Sequence, residues 1–247
     1  MITERQIDSD LLAAPRKAWI HHAEEAKTCL LFLDGELYTD RVKAPEVIAA
    51  AQASGSLPPV TCVYLPNLSA ADRHEVYTCN ERFASFVALE MPRWIEREAG
   101  RFEQLFLCGL SLSALQSVFT ALQHPGIFAG VLAQSASAWW QDERLASSLG
   151  TLPTSRGRFW LSVGTQELQA DASHPPTPLI QKTSQLVSVR RLAQCMTDAG
   201  HDLHLHEYDG GHNPVCWGAE LPRALEWLLR RSSSSSPPRS RLRIDTQ

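Results

Sequence analysis

The sequence predicts an α/β fold in which a mostly parallel sheet is covered by helices on both faces. Three observations predict it. Short apolar runs of strand length recur along the chain and alternate with stretches whose apolar residues fall at helical spacing. At residues 104–123, QLFLCGLSLSALQSVFTALQ, one such run turns into helix within a few residues. The 247 residues are 44% hydrophobic, enough to bury one large core, so a single domain is expected over residues 18–230.

Residues 1–17 mix charges with little apolar content and read as a flexible N-terminus, with an edge strand beginning near Trp19-Ile20. TCLLFL at 28–33 is a near-continuous apolar run of a buried strand, ending at Asp34-Gly35. Residues 44–53 are strong helix formers, closed by Gly55. PVTCVYL at 59–65 is the second buried strand. Residues 80–98 read as one long amphipathic helix, with Phe83, Phe86, Val87 and Trp94 along it and Pro92 bending it. After the strand and helix of 104–123, strands are expected at 127–132, 159–163 and 204–208, and helices at 184–199 and 221–230. The tail at 231–247, RSSSSSPPRSRLRIDTQ, is too poor in apolar residues to fold and is read as disordered rather than as a basic docking arm.

A formal net charge of -4 and a pI near 6.1 give no basic field, which argues against a nucleic-acid partner. No apolar run has spanning length and the N-terminus lacks the apolar core of a signal peptide, so no membrane is expected and a cytoplasmic location is. Cys29, Cys62 and Cys108 lie in strand-like runs, where reduced cysteines pack as small hydrophobes; the six cysteines read as free thiols.

The chemistry starts from Gly109-Leu110-Ser111-Leu112-Ser113. A strand that turns sharply into a helix strains the middle residue and exposes its side chain at the sheet edge, which is the content of the G-x-S-x-G nucleophile elbow. Here Ser113 stands where that motif has its second glycine. Ser111 is the candidate nucleophile. Its hydroxyl needs a base, and His212, in a Gly-Gly turn just after a strand, is the candidate; the imidazole needs a carboxylate, for which Glu167 is preferred and Asp171 on the same loop stays open. Serine, acid and histidine then follow in the order of the α/β-hydrolase triad, each beyond the carboxyl end of a strand. The oxyanion hole is assigned to the backbone N–H groups of Leu112 and, from the loop after the first strand, Glu36. His204 and His206 share a strand face, but no third ligand lies nearby and an exposed face is the preferred reading. No metal or organic cofactor is required.

With these residues in place, the chain resembles the enterochelin (enterobactin) esterases, the Fes-like branch of the esterase D family. The resemblance runs from Trp19 to about Leu229 and rests on LLFLDGELY at 30–38, LPPVTCVYLPN at 57–67, RHEVYTCNERF at 73–83, the GLSLSAL elbow, QSASAWW at 134–140, SVGTQE at 162–167 and GGHNPVCWG at 210–218. It implies an α/β-hydrolase fold and cleavage of ester bonds in the macrolactone of ferric catecholate siderophores, with Ser111, His212 and Glu167 on the family's catalytic positions. The chain is expected to lack the N-terminal β-rich domain of long-form relatives and resembles the short form. Leu110 and Ser113 depart from the usual elbow and are expected beside a bound acyl group, so the substrate is a ferric siderophore or another small-molecule ester. Arg73, in the loop after the second strand, is assigned either to an anionic ferric complex or to a surface salt bridge. Trp139, Trp140 and Trp217 follow strand ends, and two of the three are expected to stack on substrate aryl rings. An acyltransferase or thioesterase of a peptide pathway and a catalytically inactive siderophore-binding protein are the alternatives; oligomeric state is not legible.

Overall fold

The computed structural model describes residues 2–175, 177–230 and 243–246. Its main sheet has nine strands: β1 Ile2–Ile7, β2 Arg16–His21, β3 Thr28–Leu33, β4 Val60–Leu65, β5 Gln104–Leu110, β6 Gly130–Gln134, β7 Arg158–Gly164, and, after the two-residue strands β8 Ala172–Ser173 and β9 Ile180–Gln181 of a small hairpin, β10 Asp202–Tyr208 and β11 Arg243–Thr246. The spatial order is β1-β2-β4-β3-β5-β6-β7-β10-β11. β2 runs antiparallel to both β1 and β4; every later pair is parallel. This is the α/β-hydrolase arrangement, and TCLLFL and VTCVYL read as unbroken apolar runs because β3 and β4 are buried on both faces.

The helices are α1 Gly35–Asp40, α2 Ala44–Ala53, α3 Ala70–Val76, α4 Glu81–Ser85, α5 Met91–Ala99, α6 Leu112–Gln123, α7 Trp140–Ser148, α8 Gln185–Asp198 and α9 Pro214–Leu229. They divide the core in two. Phe83, Trp94, Leu115, Val118 and Leu192, from α4, α5, α6 and α8, pack on one face. Tyr38, Ile48, Leu221 and Leu225, from α1, α2 and α9, pack on the other.

Four expectations are corrected. The N-terminal residues are not frayed: β1 pairs along its whole length with β2, from Ile2 opposite His21 to Ile7 opposite Arg16. Its polarity hides it because it is an edge strand in which only Ile7 is buried. The helix at 80–98 is broken not by a proline bend but by a π-helical turn, Phe86–Glu90; Pro92 sits in the first turn of α5, where its missing N–H is tolerated. α9 begins seven residues before the expected start, at Pro214, with Asn213 capping it by accepting from the Cys216 N–H at 3.1 Å. Of the tail, residues 231–242 and 247 lie outside the described residues, whereas 243–246 add β11 beside β10. Among the described residues no helix is long and apolar enough to cross a membrane, and all six cysteines are free.

Candidate active site

β5 ends at Leu110 and α6 starts at Leu112, so Ser111 alone makes the turn, at φ 55° and ψ -120°. That left-handed value is strained for any residue but glycine. Strand and helix pass so closely that a Cβ on Gly109 would run into the Ser113 carbonyl. Ser113 fits in place of the second glycine because its buried hydroxyl folds onto the elbow, donating to the Leu110 carbonyl at 2.7 Å and accepting from the Leu110 N–H at 2.9 Å. The expectation that Leu110 and Ser113 border a bound acyl group is therefore corrected: both are buried in the turn and neither lines the adjoining cavity.

His212 follows β10 in the glycine turn and Glu167 follows β7. A Cβ on Gly164 would meet the Gly210 carbonyl, so the two loops approach this closely because Gly164 has none; a Cβ on Gly210 would meet Cys216 Sγ on α9. His212 Nδ1 lies 2.6 Å from Glu167 Oε2, and His212 Nε2 lies 3.1 Å from Ser111 Oγ. An ionised carboxylate only accepts, so Nδ1 carries the proton and Nε2 is left to accept from the Ser111 hydroxyl. Burial by itself raises the Glu167 pKa, but the His212 hydrogen bond and charge, with donation from Ser135 Oγ and the Gly164 N–H, outweigh it and hold the carboxyl below its ordinary value. Asp171, the other acid considered, is exposed and makes no contact with His212.

Sequence reasoning missed what holds Glu167. Ser135, one residue beyond β6, has a left-handed φ of 46° and a fully buried side chain. Its hydroxyl donates to Glu167 Oε1 at 2.7 Å and accepts from Trp217 Nε1 at 3.0 Å. Tyr208, the last residue of β10, donates to the same carboxylate oxygen at 3.2 Å, and the Gly164 N–H does so at 2.8 Å. The available signal was position: Ser135 and Tyr208 stand at strand carboxyl ends, as Ser111 does.

A cavity of about 470 Å³ opens over Ser111 and His212. Of the expected substrate contacts it takes Arg73 and Trp139 and leaves the rest. Arg73 lies on α3 rather than in a loop, and its Nε and Nη2 each donate to Asp34 at 2.7 Å. Trp139 stacks on His174, 5.1 Å between centroids and 8° from parallel, while its indole N–H donates to Gln185. Trp140 is buried in the core below, and Trp217 lies behind the histidine, edge-on to it at 4.9 Å with its N–H on Ser135. One tryptophan, not two, faces the cavity, because which side of the sheet edge an aromatic takes is set by packing. Leu112 lines the cavity at the start of α6; Glu36 does not, and its carboxylate accepts from both the N–H and the side-chain amide of Asn67. Ser137 lines it too, its hydroxyl 3.4 Å from Ser111 Oγ. His204 and His206 are buried rather than on an exposed face, packed against Trp160, and no metal-holding group of His, Cys, Asp and Glu occurs among the described residues.

The chain is similar to the iron(III) enterobactin esterase of Dickeya dadantii, 24% identical over 234 residues that make up 90% of this chain and 53% of that protein. It is equally similar, at 24% over 232 residues, to the iron(III) enterobactin esterase of Escherichia coli K12, covering 88% of this chain and 54% of that one. The chain thus spans about half the length of the curated relatives it matches. In structure it resembles the enterobactin esterase of Shigella flexneri, with a TM-score of 0.78, 24% identity and coverage of 92% and 59% of the two chains. A serine hydrolase of Shewanella oneidensis described as IroE-like superposes with a TM-score of 0.73 at 18% identity, over 92% of this chain and 79% of that one. The family model described as "Putative esterase" matches residues 11–228, nearly the whole described chain, and the protein belongs to that esterase family.

Proposed function

We propose that the protein is a serine esterase that hydrolyses ester bonds of a siderophore lactone of the enterobactin type or of a related ester. The observation that carries this is the continuous hydrogen-bonded chain from Ser111 through His212 to a buried Glu167, with Ser111 on a strained turn at the start of a helix. Ser111 Oγ attacks the ester carbonyl as His212 Nε2 takes its proton. The Leu112 N–H, at the positive end of α6, receives the developing oxyanion. His212, now an imidazolium held by Glu167, returns the proton to the leaving alkoxide. Water then attacks the acyl-serine with His212 again as base. Glu36 is not among the residues lining the cavity, so the scheme rests on the Leu112 N–H.

Two features favour hydrolysis over acyl transfer or mere binding. The His212 side chain is 41% exposed, so water reaches the base at the step where a transferase must exclude it. The serine, base and acid are all within hydrogen-bonding distance, an arrangement that binding alone does not need. The lactone substrate class rests on the relatives' activity. The test is fluorophosphonate labelling of the wild type and of Ser111→Ala, with turnover of enterobactin and of simple aryl esters. Labelling of Ser111 alone, and loss of at least a thousandfold in kcat for Ser111→Ala, is expected. Activity in that variant within about tenfold of wild type removes Ser111 as nucleophile.

A further inference from the structure

We propose that the cavity selects uncharged aryl esters, and, within the siderophore-esterase reading on which this rests, the metal-free lactone, against polyanionic metal complexes. A ferric ion held by three doubly ionised catecholates is a trianion, and a site evolved to bind it needs uncompensated positive charge. The described lining contains one lysine or arginine, Arg73. One edge of its guanidinium, Nε with Nη2, is taken by Asp34, a carboxylate with no exposed surface, while the Arg73 side chain is 25% exposed. The cation and its buried partner present a neutral pair to the cavity. Glu36 is linked to that pair through the Asn67 side chain, and Glu167 is the carboxylate of the described lining. Cations just outside are also engaged: Lys182, which follows the lining residue Gln181, is 2.9 Å from Asp142, and Arg191 is 2.6 Å from Glu143.

The remaining wall is polar without charge. Gln185 is fixed between the Trp139 indole N–H and the Ser135 carbonyl, and Gln181 between His174 and the Gln169 carbonyl. These bonds hold Trp139 and His174 in their parallel stack. The result is a flat polarisable wall beside Ser111, against which a neutral aryl group lies by stacking and apolar contact with no counter-charge required. A trianion in the same place would meet the Glu167 carboxylate and an Arg73 already neutralised by Asp34, with no other lysine or arginine in the described lining.

The test measures kcat/KM of the wild-type protein for the metal-free lactone and for its ferric complex. In parallel it uses a matched pair, N-benzoylserine methyl ester and its para-carboxylated analogue, across a range of ionic strength. A preference of about tenfold or more for the metal-free and the neutral member is expected, with turnover of the charged analogue not falling as salt is raised. Equal or faster turnover of the ferric complex and of the carboxylated ester overturns the proposal, as does a steep fall of the anionic rate with salt. If neither lactone is cleaved while the matched esters keep the neutral preference, the siderophore reading fails and charge selection stands; hydrolysis of no ester overturns both. Asp34→Asn, checked for folding by circular dichroism, unmasks Arg73 and narrows the neutral preference. An unchanged ratio in that folded variant overturns the role given to the ion pair.

Discussion

Removing the Ser135 hydroxyl tests whether the Glu167 clamp acts on catalysis. Ser135 does not line the cavity, so its loss leaves substrate contacts in place. What goes is a charge-assisted bond of 2.7 Å to a buried carboxylate and the acceptor of the Trp217 indole N–H. A hydrogen bond to a charged group contributes about 1.5–3 kcal/mol. Because the Gly164 N–H and the Tyr208 hydroxyl still serve the same oxygen, the lower end applies. At about 1.4 kcal/mol per tenfold, kcat should fall roughly tenfold in Ser135→Ala while KM stays within about twofold. The pH profile carries the decisive sign. With one donor to its ionised form gone, the Glu167 carboxyl is held down less strongly, so the acid limb of kcat/KM moves to higher pH. Ser135→Gly removes the same hydroxyl but relieves the left-handed φ of 46°, so it separates the hydroxyl from backbone strain. Stopped assays across pH on both variants, with melting curves alongside, make the measurement. An unchanged acid limb in a folded variant whose kcat is within twofold of wild type refutes the clamp.

Two further outcomes are expected. Glu167→Gln should cost roughly a thousandfold in kcat, whereas Asp171→Asn should stay within about threefold, as assayed on any ester the wild type turns over; the reverse would move the acid to the exposed loop. Burial pushes Glu220 up from the usual 4.5 to about 7, despite donation from Gln134, Trp160 and Ser162. Its folded pKa exceeds its unfolded one, so the native state binds the extra proton between those values. Stability then falls as pH rises from 4.5 to 7, with the full penalty of about 3 kcal/mol present above 7. Denaturant titrations should show this slope in wild type relative to Glu220→Gln, and parallel profiles for the two proteins would exclude it.

The parts of the site legible in the sequence were those fixed by backbone geometry. A strand-to-helix turn with a glycine two residues before the serine has few conformations, and the structure places Ser111 in the strained one. Glu167 was preferred over Asp171 because it directly follows a strand, and its carboxylate lies 2.6 Å from His212 Nδ1. Side-chain destinations beyond the backbone were not legible. Trp139, Trp140 and Trp217 share a residue type and a setting just past strands, yet one faces the cavity, one the core and one the rear of the histidine. Arg73 reads on a sequence as an anion contact or a surface salt bridge, and only the fold brings the buried Asp34 against it, 39 residues away. β1 was invisible because an edge strand with a single buried side chain carries almost no apolar signal.

The arrangement separates chemistry from selection. β5, β6, β7 and β10 are neighbours in the sheet, and their carboxyl ends supply Ser111, Ser135, Glu167, Tyr208 and His212 in that order. Groups scattered over the chain meet because four adjacent parallel strands end at one edge, with Gly109 letting helix α6 fold tightly back on β5 and Gly164 lacking the Cβ that would hold the β7 and β10 turns apart. That edge is anchored by the buried sheet. The cavity wall is different: Gln166, Gln169, His174, Thr177, Leu179 and Gln181 all come from the single segment between β7 and α8, held by a two-residue hairpin, side-chain bonds and backbone bonds near its two ends. Substitutions at the strand ends should therefore appear in kcat and its pH dependence. Those at Gln169, His174, Thr177, Leu179 and Gln181, beyond Glu167 in the β7–α8 segment, should appear in KM and in the ratio between substrates, because these residues touch what is bound without holding the groups that react.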